Sequence, residues 1–145
     1  RYGYKLYMPR KVVKKSPPQT AEKVSSDLPK EVRIGYRDIE IEYVSPDFKT
    51  DNLTDCYGEY RAREGKILVQ HNLCGQEMAN VVLHECLHAI AYSAGLNQAN
   101  GPLKEDDGEE LVVNQTTNYL IAMFRDNPWF LDFLKNNIHK SKDGV

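Results

Sequence analysis

The 145-residue sequence predicts an α+β fold: a small antiparallel sheet of three to four strands, then three helices. Three observations carry this. Apolar residues alternate with polar ones at Val32, Ile34 and Tyr36, and again at Ile39, Ile41 and Tyr43. That is the period of half-buried strands. Glu64-Gly65 lies between two further strand-like runs, which marks a hairpin. From Gln76 onward the apolar spacing becomes helical, and Gly95 and Asn127-Pro128 punctuate it.

The elements follow in chain order. Residues 1–30 read as a basic arm with Tyr2, Tyr4 and Tyr7, broken by prolines at 9, 17, 18 and 29. The domain is expected over 31–145. Its strands run from Val32 to Tyr43, with a turn around Arg37-Asp38, then over Gly58–Arg63 and Lys66–Gln70. A polar loop over Ser45–Asp55 separates the two strand groups. The first helix is expected over Gln76–Ala94, with Gly95 just past its end. The second is expected at about Glu109–Arg125, capped by Asp106 or Asp107. A short third helix opens at Asn127-Pro128 with the proline at its first position.

Charge is unevenly distributed. Residues 1–23 carry a net +6, whereas residues 24–145 carry −8, for a formal total of −2. An acidic body disfavours a nucleic-acid binder, although the arm alone can touch phosphate. It can also dock on the acidic body or reach for a protein partner. No apolar run reaches the roughly 18–20 residues that span a bilayer. No apolar segment follows the N-terminal charges, so neither a membrane span nor a signal peptide is expected. Three cysteines, Cys56, Cys74 and Cys86, are too few and odd in number for a disulfide framework. A reducing, cytoplasmic setting suits them.

The chemistry concentrates in Val82-Leu83-His84-Glu85-Cys86-Leu87-His88. Residues four apart on a helix lie about 40° apart around its axis, so His84 and His88 project from one face. Two imidazoles one turn apart can chelate Zn²⁺, and Glu85 beside them can act as general base in a metal-assisted hydrolysis. The bland alternative is a solvated stripe of Glu77, Asn80, His84, His88 and Tyr92. Cys86 lies about 200° from His84 and belongs to the core side.

A catalytic zinc site needs a third protein ligand. Positions 91 and 94 are alanines, so a third histidine at the extended-motif spacing is missing. His71 and His139 suit surface positions better. Glu109 and Glu110 begin the second helix, and Glu110 shares a face with Val113, Thr117, Leu120 and Phe124. Glu110 is therefore the preferred ligand, with Glu109, about 100° away, as the alternative. Charge compensation at a helix start explains either acid without a metal.

His84-Glu85-x-x-His88 followed by Glu110 resembles the gluzincin branch of the zincin-like metallopeptidases. The order of small sheet, HExxH helix and Glu-bearing helix is similar to the minimal ImmA/IrrE-like and phage-encoded metallopeptidases. So are the Gly58-Glu59-Tyr60 strand and the stretch from Glu110 to Asn127-Pro128. The likeness spans roughly residues 32–135. It implies a peptidase with zinc on His84, His88 and Glu110, acting on a protein or peptide substrate inside a cell, a bacterial host included. Glu85 would take a proton from a zinc-acidified water and return it to the leaving amine. Tyr92 and Tyr60 are candidate donors to the oxyanion or to substrate, with core packing the simpler account of each. An exposed strand of the hairpin could hold an extended peptide. The competing expectation is a catalytically silent, zinc-stabilised protein-binding module.

Overall fold

The computed structural model describes residues 27–46 and 57–139. Most of the arm expected over 1–30, much of the loop over Ser45–Asp55, and Cys56 lie outside the described residues. The described elements are β1 (Glu31–Ile34), β2 (Arg37–Val44), β3 (Gly58–Arg61), β4 (Lys66–Gln70), α1 (Gly75–Ser93), α2 (Asp106–Asp126) and α3 (Trp129–Ile138). Their order and α+β class are those expected from the sequence.

The sheet order is β1-β2-β4-β3. β1 pairs antiparallel with β2, and β3 with β4, but β2 and β4 run parallel with Ile41 opposite Ile67. The sheet is therefore mixed where an antiparallel one is expected. Period-two alternation reports which face a residue occupies and carries no information on strand direction. A second difference is local. The turn between β1 and β2 falls at Gly35-Tyr36, so Tyr36 is exposed and lies outside the strand.

Register places Ile39, Ile41, Tyr60, Ile67 and Val69 on one face of the sheet, and all are buried. Met78, Val81 and Ala89 of α1 join them in a single core. Fully buried Ile67 and Val81 each stabilise the fold by about 1.5–3 kcal/mol. Helix α1 packs on the sheet on one side and on α2 on the other, so it is the middle layer.

Helix ends match the sequence to within a few residues. α1 stops where Gly95 takes φ +71°, and the Gly95 and Ala94 amides donate to the Tyr92 and Ile90 carbonyls. α2 begins three residues before the predicted start. Glu105 takes the cap position, and no side chain bonds back to the helix there. Asp106 and Asp107 thus sit in the first turn as dipole-compensating charges, and neither is a cap. Pro128 holds the cap position of α3, one residue before the place predicted for it.

Candidate metal centre

α1 is apolar on its sheet side, yet its other side turns His84 and His88 toward α2. His84 is completely buried and His88 nearly so. α2 begins beneath them and delivers Glu110. The two Nε2 atoms lie 3.1 Å apart, Glu110 Oε1 is 3.1 Å from His84 Nε2, and Glu110 Oε2 is 3.1 Å from His88 Nε2. Four ligands at the usual zinc distances form a tetrahedron with edges of about 3.3 Å. The donor set and its spacing therefore fit a divalent ion with nitrogen and oxygen ligands. Among the described residues, His84, His88 and Glu110 are the one group of this kind.

The neighbouring acid has a different place. Glu109 Oε1 lies 2.9 Å from His88 Nδ1, the nitrogen on the far side of the ring from the cluster. Of the two acids, Glu110 thus joins the cluster, and Glu109 holds the ring from behind.

Glu85 is 1% exposed and sits one residue past His84. The Tyr60 backbone N–H donates to its carboxylate. That bond follows from the hairpin register. Gln70 N–H donates to the Tyr57 carbonyl, so Tyr57 and Glu59 bond inward to β4, and the main-chain groups of Gly58 and Tyr60 point outward. Gly58 lets α1 approach this edge, because a Cβ there would stand 2.7 Å from Val81 Cγ1 and 3.2 Å from Glu85 Cγ.

Electrostatics tie these groups together. Burial pushes the Glu85 carboxyl up to about 8, against the opposing pull of His88. Burial alone would lower His88, but its bond to Glu110, the charge of Glu85 and its bond to Glu109 carry it to about 9. Burial would raise Glu110, yet the bonds from His84 and His88 bring it down to about 2. Burial lowers His84, with Glu110 opposing. In the metal-free chain a protonated His88 therefore supplies the positive charge that an ion would supply.

The remaining sequence candidates are placed as follows. Tyr60 is buried in the core, its ring edge-on to Tyr92 at 6.2 Å, and the Arg37 guanidinium lies 5.7 Å from the centre of the Tyr92 ring. Both rings pack on the core, and the Tyr60 hydroxyl is buried with no hydrogen-bond partner among the described residues. Cys86 is half-buried against the core, its thiol pushed up to about 11 by burial, as expected for a residue facing away from the histidines. His71 and His139 lie outside the cluster. Sequence reading missed Asn97, which is buried and donates to both oxygens of Glu109 at 3.2 and 3.3 Å. A polar residue two positions past a helix-ending glycine is ordinary loop composition, so no signal marked it.

Compared with protein-family models, curated proteins and solved structures, the chain matches none of them. Fold and site together define an α+β chain with a partly buried His/His/Glu group able to hold a metal ion. Among the described residues no helix is long and apolar enough to cross a membrane.

Proposed function

We propose that the chain is a zinc-dependent peptidase of the zincin type, hydrolysing peptide bonds in a protein or peptide substrate. The observation that carries this reading is the convergence of His84, His88 and Glu110 with buried Glu85 next to His84. A purely structural ion has no use for a carboxylate at that position, and burying one without a role is costly. When bound, zinc would supply Lewis acidity, lowering the pKa of water and polarising the scissile carbonyl. Glu85 accepts the proton of the attacking water and passes it to the leaving amine. Burial raises the Glu85 carboxyl in the metal-free chain. The charge of a bound dication beside it would draw it back toward the range where it can both take and give a proton. The Tyr60 N–H orients it.

The test is the E85Q variant. It should retain one equivalent of zinc and lose hydrolysis of unstructured peptide libraries by roughly 10²–10⁴-fold, followed by mass spectrometry. Unchanged turnover would remove Glu85 from the mechanism. A wild-type chain that takes up no zinc would sink the whole reading.

A second reading has its own support. Leu111, Val112 and Tyr119 of α2 and Trp129, Leu131 and Phe133 of α3 are exposed, which suits a zinc-stabilised module that binds a protein partner. It predicts zinc binding with no hydrolysis in either wild type or E85Q.

A further inference from the structure

Glu109 and Asn97 stand apart from the acids and amides around them. Asp106 and Asp107, in the same helical turn as Glu109, are exposed, as a helix-start charge is expected to be. Glu109 is 4% exposed and Asn97 5%. Asn97 engages Glu109, and Glu109 in turn engages His88. Asn97 Nδ2 donates to both Glu109 oxygens, Glu109 Oε1 is 2.9 Å from His88 Nδ1, and Gln98 Nε2 donates to Asn97 Oδ1 at 3.2 Å.

The backbone that carries Asn97 is closed on itself. Leu96 N–H donates to the Ala91 carbonyl at 2.9 Å, which ties the segment to the last turn of α1. Leu103 N–H returns to the Leu96 carbonyl at 2.9 Å, and Gly101 N–H to the Gln98 carbonyl at 2.8 Å. A side chain at Gly101 would run into that same Leu96 carbonyl, so only glycine lets the segment close. A connection between two helices needs none of this. The bonds make sense if the amide of Asn97 has to be held in one place.

We infer that the 95–105 connection is a built support for the metal centre, in which Asn97 clamps Glu109 and Glu109 holds the Nδ1–H of His88. This role rests on the metal reading above. With its Nδ1 proton committed to Glu109, His88 presents Nε2 alone to the ion, in a fixed ring orientation and with increased donor strength. Glu109 and Asn97 are positioning residues. Neither supplies a ligand atom, and Asn97 acts through two intervening groups.

Purified full-length chain and its variants decide this, with Zn²⁺ itself as the probe. Competition with a chromophoric chelator should show E109A binding zinc about 10–100-fold more weakly than wild type. N97A should weaken binding in the same direction by less. V113A, which trims a buried residue of the same α1–α2 interface, should lower the melting temperature and leave zinc affinity unchanged. In the zinc-loaded wild type, ¹⁵N NMR should find a slowly exchanging Nδ1–H on His88, and this proton should exchange rapidly in E109A. Zinc affinity retained in E109A overturns the support role and leaves the metal reading standing. So does a loss in V113A equal to that in E109A, which would reduce the effect to general destabilisation. Failure of the wild type to take up zinc overturns both.

Discussion

Along α2, the side turned to α1 buries Glu109, Val113 and Thr117, whereas Leu111, Val112 and Tyr119 are exposed, Tyr119 by 76%. Between Glu109 and Tyr119 two of the three buried residues are polar, and three of the six exposed ones are large and apolar, the other three being Gln115, Thr116 and Asn118. α3 continues the outer pattern, with no buried residue and with Trp129, Phe130 and Phe133 gathered ring to ring. The inner polar residues are satisfied, Glu109 by His88 and Asn97, and Thr117 by its own bond to the Val113 carbonyl. Buried polar groups are tolerated when their partners are in place. The comparison teaches that the interior of the α1–α2 interface is arranged around charge, while the outer surface of α2 and α3 mixes polar residues with large, exposed apolar ones.

Substitutions should separate the two sides sharply. Removing the carboxylate of the inner cluster has the largest expected effect: E110A should lower zinc affinity on the order of 100-fold or more, exceeding E109A. Chelator competition on the two variants checks the order, and a reversed ranking would move the ligand to Glu109.

A pH series probes the same interior without mutation. His88 is raised from 6.5 to about 9, so its contribution is fully present below 6.5 and is lost as pH rises through 9. Glu85 is raised from 4.5 to about 8, so the folded chain favours its neutral form and loses stability as pH rises through that interval. Both signs agree, and the melting temperature of the metal-free chain should fall between pH 6.5 and 9. Zinc must displace the His88 proton, so affinity should rise by about tenfold per pH unit below 9. Calorimetry with and without chelator tests both, and flat profiles would remove His88 from the site.

Smaller changes follow. G58A places a methyl group against Val81 and Glu85 and should destabilise by about 1–3 kcal/mol in urea unfolding. On the outer side, Y119S should change stability by no more than about 0.5 kcal/mol and leave zinc binding intact. A large loss there would show that the apolar surface is part of the folded core.

Much of this inner site was legible in the chain. His84 and His88 share a face because the helical period demands it, and the Glu64-Gly65 hairpin and the Gly95 stop are local chemistry. That one of the two acids opening α2 would meet the histidines was legible, but a shared face did not decide for Glu110. Glu109 is the acid buried in line with Val113 and Thr117, and Glu110 reaches the cluster from beside them. The partner of His88 Nδ1 was not legible, since periodicity separates Glu109 from Glu110 by angle and says nothing of which ring nitrogen each will meet. Nor was the parallel pairing of β2 with β4, which depends on where the chain returns to the sheet.

The sequence by itself determined the elements, the α+β order, the histidine pair and the acid beside it, because each follows from the spacing of neighbouring residues. The tertiary structure alone decided that Glu85 is sealed beneath the outward edge of β3 and that Glu109 grips His88. It also decided that Asn97, 12 residues from Glu109, closes the arrangement. Those facts depend on how α1, α2 and the sheet meet, and burial and long-range hydrogen bonds exist only once they have met.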